Sequence, residues 1–209
     1  MNPLPQVHVV DDDAPFLRSV LFMLEDGGWR AFGHESAERF LQVDPVLGPE
    51  GGCLLLDIRM PRLSGLALQQ RLRGQDSAWP VVFMTGHGDV DQAVQAMKAG
   101  ALDFLQKPFK PQALMDAVSH AVDASRVAQR DRSRRDEAAT RLDRLSPRER
   151  EVARLVALGH TNKEVARQLD ISDNTVHVHR QRITDKLGSG HAADLARVIL
   201  RADPAGLDP

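Results

Sequence analysis

Three short stretches of this chain are apolar almost without interruption, and each runs into a polar residue: residues 7–10, 53–56 and 80–84. A strand with one wet face alternates apolar and polar side chains. A run that is apolar throughout needs cover on both faces, as a central strand of a parallel sheet has. The segments between these runs have helical spacing. Residues 14–26 place Phe16, Leu17, Val20, Leu21 and Leu24 at helical intervals, and 37–42, 66–73 and 90–99 repeat the pattern more briefly. Residues 29–32 and 103–106 are weaker apolar runs, expected to flank the central strands. Five strands alternating with helices, closed by a helix over 111–122, specify a doubly wound α/β sandwich, in which ligands bind outside the carboxyl ends of the strands.

The pattern changes after Val122. Residues 123–144 hold 7 Arg and 5 acids with little apolar content. This is either a solvated helix continuing from Val122 or a flexible linker; a weak dimeric coiled coil is a third reading, although no heptad is sustained. From Leu145 onward every signal is helical. Ser146, Pro147 and Glu149 supply an N-cap, an N1 proline and the N3 acid of a capping box, and Gly159 ends that helix. Thr161 caps a second helix over 162–169, Ser172 caps a third over 173–187 that Gly188 ends, and 192–201 forms a fourth. The expected organisation is a first domain over 1–122, a charged and helical linker over 123–144, and an all-α domain over 145–209.

Composition narrows the chemistry. Residues 1–122 contain 10 Lys/Arg against 15 Asp/Glu, whereas the remainder contains 17 against 14, so an acidic half precedes a mildly basic one. All nine aromatic residues, Phe16 to Phe109, lie in the acidic half. The basic half therefore offers no ring on which to stack an unpaired base, which argues against a single-stranded nucleic-acid ligand. Cys53 is the only cysteine, which excludes an internal disulfide and a zinc cluster. No run approaches the roughly 18–20 apolar residues of a membrane span, and the N-terminus lacks the pattern of a secretory signal. A reducing cytoplasm is the expected compartment.

The residues after the strands carry the chemistry. Asp11, Asp12 and Asp13 follow the first strand, Asp57 follows the third, Thr85 ends the fourth, and Lys107-Pro108 follows the fifth. In a doubly wound sheet these positions share one edge. Clustered carboxylates repel unless a cation neutralises them, and an oxygen-only donor set favours a hard ion such as Mg²⁺. A carboxylate beside Mg²⁺, with a lysine and a hydroxyl in reach, suits attack on a phosphoryl group. Helix capping by Asp11–Asp13 and a turn at Asp57 would explain each residue singly, but not the coincidence at four strand ends. His87, between Gly86 and Gly88, reads as an exposed loop residue rather than a catalytic one.

The stretches VHVVDDD, LLLDIRMP, MTGHGD and AMKAGALDFLQKPF, over residues 6–122, resemble the receiver domain of bacterial two-component response regulators, especially the FixJ group. The resemblance implies a flavodoxin-like, five-stranded parallel fold. It implies that Asp57 is the phosphoacceptor and that Asp12, Asp57 and the Arg59 carbonyl hold Mg²⁺ (or Mn²⁺), with Asp11 completing the acid pocket indirectly. Lys107 and Thr85 would contact the phosphoryl group, and Pro108 would follow a cis peptide that aims Lys107 inward. Asp13 is equally a partner for the helix dipole. Phe104 fits the family's aromatic switch position, coupled to Thr85; it is also readable as ordinary strand core. No enzyme activity is implied beyond the receiver's own Mg²⁺-dependent phosphoryl transfer and dephosphorylation.

On the third C-terminal helix, at 100° per residue, Val176, Ile183 and Leu187 share one face, flanked by His179 and Arg180. Val178, Gln181 and Asp185 lie opposite, flanked by His177 and Arg182. A valine among polar residues can meet a thymine methyl, and His177 and Gln181 can bond base edges. The stretch LSPREREVARLVALGHTNKEVARQLDISDNTVHVHRQRITDKLG resembles the LuxR/NarL-type helix-turn-helix domain over residues 145–202. This implies that 173–187 enters the major groove of double-stranded DNA with His177, Val178 and Gln181 facing bases. Asn162, Lys163, Thr175, Arg182 and Lys186 would hold phosphates. Position 177 is often Lys in that family. Leu195, Val198 and Ile199 of the fourth helix either form a dimer contact or pack within the monomer. The two resemblances together imply a sensor histidine kinase as phosphodonor, a homodimer on phosphorylation, and RNA polymerase as a further partner.

Overall fold

The computed structural model describes residues 4–73, 79–86 and 90–208. The chain forms two compact units, Met1–Arg130 and Asp131–Pro209, and the boundary falls inside the charged segment. His87 lies outside the described residues.

The first unit alternates β1 (Gln6–Val10), α1 (Ala14–Asp26), β2 (Arg30–His34), α2 (Ala37–Val43), β3 (Gly52–Asp57), α3 (Gly65–Arg73), β4 (Val81–Thr85), α4 (Val90–Lys98), β5 (Asp103–Gln106) and the start of α5 (Pro111–Asp143). The strands form one parallel sheet in the order β2-β1-β3-β4-β5. Its alternating side chains feed two cores. Val7, Val9, Cys53, Leu55, Val82 and Met84 pack on one face with Leu17, Val20, Leu114 and Val118. Val10, Leu54, Leu56 and Phe83 pack on the other with Phe40, Leu68 and Leu72. Every residue of β3 is buried, which is why that run carries no polar alternation.

β2 begins at Arg30, not Trp29. Gly28, at φ +82°, completes the turn after α1, and the Trp29 N–H closes it on the Leu24 carbonyl at 2.9 Å. Pairing with β1 then starts at Gln6 and Arg30. Between these strands His8 Nδ1 and His34 Nε2 lie 2.9 Å apart, both rings buried among Phe32, Phe40 and Trp79. A ring–ring bond at this distance needs one donor and one acceptor nitrogen, so the two imidazoles are never both charged while it holds. Burial, assisted by His34, lowers the pKa of His8 to about 4, and burial also lowers that of His34. The folded state thus binds fewer protons than the unfolded one. The stabilisation is complete above about pH 6.5 and is lost as pH falls from there to about 4. For His8 alone it is worth roughly 3 kcal/mol. Urea unfolding should show this loss between pH 7 and 4.5, and His8→Phe should flatten much of it. Parallel pH profiles for the two proteins would exclude the histidine pair as the cause.

Segment 123–143 is helix: α5 runs unbroken for 33 residues, the solvated-helix reading of the sequence. The second unit contains the end of α5, then α6 (Pro147–Ala157), α7 (Asn162–Leu169), α8 (Asp173–Leu187) and α9 (Ala192–Ala202). Ser146 and Thr161 form capping boxes with Glu149 and Glu164, and Ser172 caps α8. Leu195 and Ile199 are 2% and 8% exposed. They pack within the monomer, so those two side chains are not a free dimer face.

Candidate functional site

The strand ends of the first unit meet around one ammonium group. Lys107 Nζ lies 2.6 Å from Asp11 Oδ2, beyond β1, and 2.6 Å from Asp57 Oδ1, at the end of β3. The Lys107 N–H donates to the Thr85 carbonyl at 2.7 Å, and the Lys107–Pro108 peptide is cis. The ammonium also sits 4.3 Å from the centre of the Phe16 ring, which Phe109 meets edge-on. Asp11 is buried and accepts from the Asp13 N–H at 2.9 Å. Asp13 itself caps α1 through Phe16 N–H, so its carboxylate serves the helix. Asp12 is exposed on the rim of a cleft that Arg59, Met60 and Ser64 also line. The chain returns tightly beneath Asp57: a Cβ on Gly65 would collide with the Asp57 carbonyl oxygen.

Burial pushes the Asp57 carboxyl pKa up. The Lys107 bond and charge pull it down, Asp11 adds to the rise, the Arg59 N–H opposes it, and the net shift is upward. Burial alone would lower that of Lys107, but its bonds to Asp11 and Asp57 outweigh this and raise it. Asp57 is therefore a basic carboxylate held beside a secure cation. Thr85 is buried, and its hydroxyl donates to the Leu105 carbonyl at 3.4 Å, a long bond. Phe104, the residue before Leu105, is 46% exposed and so is not core.

The donor set fits a magnesium ion. Asp12 and Arg59 line the cleft, and Asp11 and Asp57 lie beside them at the ends of β1 and β3, so the carboxylates and the Arg59 carbonyl offer oxygen alone. Among the described residues no three His, Cys, Asp or Glu side chains are grouped to enclose a metal. Magnesium needs only one or two carboxylates and keeps several waters, so the smaller set suffices.

In the second unit α7 and α8 form a helix-turn-helix, joined through Asp170 in the left-handed conformation. Val176, Ile183 and Leu187 are buried against α6 and α7 side chains. His177, Val178, Gln181, Arg182 and Asp185 are exposed, with Val178 at 41% and Gln181 Nε2 donating to Asp185 Oδ1 at 3.1 Å. Lys163 is exposed and Thr175 half-buried, its hydroxyl 2.7 Å from that of Ser172. Two expected phosphate ligands have partners inside the unit. Asn162 Oδ1 accepts from Arg180 at 2.7 Å, and Lys186 Nζ pairs with Glu149 Oε2 at 2.6 Å.

Residues 7–119 match the family described as response regulator receiver domain, and 143–199 match bacterial regulatory proteins, luxR family. The transcriptional regulatory protein FixJ of Bradyrhizobium diazoefficiens is 38% identical over 97% of this chain and 98% of its own. FixJ of Rhizobium meliloti is 40% identical over 93% and 94%. The chain belongs to the FixJ group of response regulators. Among solved structures, the response regulator StyR superposes with a TM-score of 0.79 at 37% identity, covering 94% of this chain and 98% of that one. Full-length FixJ from B. japonicum gives 0.59 at 38%, covering 95% and 97%.

This FixJ-group regulator thus joins a receiver to a LuxR-type DNA-binding domain and is a two-component regulator of transcription. Several contacts of the receiver and the DNA-binding domain have no local sequence signal. Phe16 reads as one more apolar residue of α1, yet it carries the Lys107 ammonium. Glu149 is legible as a capping residue, whereas its pairing with Lys186 spans 37 positions. Among the described residues no helix is long and apolar enough to cross a membrane.

Proposed function

We propose that this regulator is switched by phosphorylation of Asp57 by a sensor histidine kinase in the cytoplasm. Lys107 carries this reading, because one ammonium bridges the carboxylates beyond two strands at the sheet's ligand-binding edge. An Asp57 oxygen attacks phosphorus; the O–P bond forms as the P–N bond of the donor phosphohistidine breaks, and the departing imidazole takes a proton from water. Lys107 Nζ, 2.6 Å from the attacking carboxylate, would stabilise the equatorial oxygens, and burial raises the basicity of Asp57. Asp12, Asp57 and the Arg59 carbonyl would hold Mg²⁺ or Mn²⁺, with Asp11 acting indirectly; the ion supplies further neutralisation of phosphoryl charge.

Once phosphorylated, the site offers Thr85 a stronger acceptor than the Leu105 carbonyl at 3.4 Å. Turning of Thr85 makes room beside β5, and Phe104 moves inward from its exposed position. The faces of α4 and β5 expose Val94, Met97 and Phe104, apolar surface suited to pairing two receivers. A dimer places two α8 helices on two half-sites of double-stranded DNA, with His177, Val178 and Gln181 reading bases. Asn162, Lys163, Thr175, Arg182 and Lys186 approach phosphates, and RNA polymerase is the downstream partner.

The test uses duplexes selected by the full-length protein after treatment with acetyl phosphate and Mg²⁺. Phosphorylation should tighten binding to a paired-site duplex by at least about tenfold through avidity, with little change on a half-site. Equal affinity before and after acyl-phosphate formation would overturn the switch.

A further inference from the structure

The last carbonyls of a helix have no partner within it, and α8 finds partners from outside its own turn. Gly188, at φ +79°, returns its N–H to the Thr184 carbonyl at 2.8 Å. Arg141 Nη2, in the last turn of α5, donates to the Leu187 carbonyl at 2.6 Å. A guanidinium there also meets the negative end of the α8 dipole. Beside it, Lys186 pairs with Glu149, whose carboxylate is buried and caps α6. The segment carrying Arg141 is anchored in the same core: Ala138 and Leu145 are each 4% exposed, and Leu142 packs against the cluster of Val152, Val176 and Ile183. Arg150 ties Asp143, the final residue of α5, to α6 at 2.8 Å. The end of α5 is therefore a structural part of the DNA-binding unit, and it grips the recognition helix at the end remote from His177 and Val178.

We propose that Arg141 is a positioning residue for DNA recognition. Through the Leu187 carbonyl it fixes the pitch of α8 in the major groove, and it makes the helical end of α5 a control point for sequence discrimination. This rests on α8 being the groove-entering helix. The rival role is a direct phosphate contact, since Arg141 is exposed apart from this bond. The two differ in what they change. A phosphate ligand contributes equally to all sequences and contributes to the salt slope, whereas a positioning residue acts on the ratio between sequences.

The experiment compares full-length wild type, Arg141→Ala and Arg141→Gln, titrated across a KCl series. Each protein is bound to a duplex selected by the wild type and to a random duplex of equal length. Arg141→Ala should lose about tenfold in discrimination, as expected for removal of one charge-assisted bond, with an unchanged slope of log affinity against log salt. Arg141→Gln keeps an N–H donor without the charge and should recover most of the discrimination. Parallel losses on both duplexes, with the slope reduced by about 0.9, overturn the proposal in favour of a phosphate contact, and wild-type discrimination in Arg141→Ala overturns it outright. If Arg141→Ala does not fold, Arg141→Met, which keeps the apolar stem but has no donor for the Leu187 carbonyl, takes its place and is read by the same two criteria. Failure of the wild type to prefer its selected duplex would instead refute the groove reading of α8.

Discussion

Asp57→Asn is expected to abolish uptake of a phosphoryl group from acetyl phosphate while leaving the receiver more stable than the wild type. The two effects come from one carboxylate. An amide oxygen is a poor nucleophile toward phosphorus, and neither Asp11 nor Asp12 replaces Asp57. Asp11 is buried with its oxygens engaged by Lys107 and the Asp13 N–H, and Asp12 is exposed on the rim. For stability the sign follows from the raised pKa of Asp57. A carboxyl whose folded pKa exceeds its unfolded value favours the fold while protonated, and that contribution disappears as pH rises through the folded value. At neutral pH the buried charge is therefore a net cost, which Asn removes while Lys107 keeps Asp11. Intact-mass measurement after acetyl phosphate treatment reads the first effect and urea unfolding at pH 5 and 7.5 the second, with the advantage of Asn larger at the higher pH. Phosphoryl uptake by the variant would move the acceptor elsewhere, and a less stable variant would show that Asp57 is favourably paired.

A chemical site maintained at a cost to the fold clarifies which features were legible in the sequence. The sheet was legible because β3 and β4 are buried on both faces, which leaves uninterrupted apolar runs. α7 and α8 were legible to the residue because Thr161, Ser172 and Gly188 mark their ends with side chains or a conformation that few other residues supply. Convergence of Asp11, Asp57, Thr85 and Lys107 follows from topology alone, since parallel strands bring their carboxyl ends to one edge. Side-chain partners across long stretches of sequence were not legible. Nothing near Lys186 announces Glu149, and nothing near Arg141 announces the Leu187 carbonyl, because such pairs depend on how helices pack and not on local period. Phe104 shows the same limit: its apolar strand context fits core, whereas β5 turns it outward.

Lys107→Ala is expected to produce the largest loss of stability, about 3 kcal/mol at neutral pH. Its ammonium is the shared partner of two buried carboxylates, 2.6 Å from each, so its removal leaves two neighbouring negative charges in a poorly solvated pocket. Loss of the apolar stem accounts for the smaller part of this, because the contact with Phe16 is made by the ammonium itself, 4.3 Å from the ring centre. Three further measurements separate the electrostatic cause from simple loss of packing. The deficit should shrink as pH falls through the carboxylate range, since protonation removes the repulsion that Lys107 had neutralised. It should shrink again in the double variant Asp57→Asn/Lys107→Ala, which leaves a single buried charge; the two substitutions are then non-additive, as expected for groups in direct contact. Millimolar MgCl₂ should raise the urea midpoint of Lys107→Ala more than that of the wild type, because an added cation meets two uncompensated carboxylates rather than an ion pair. A deficit that stayed constant with pH, added Asp57→Asn without coupling and ignored magnesium would mean that Lys107 stabilises the receiver by packing, and the electrostatic reading of the acid pocket would fall with it.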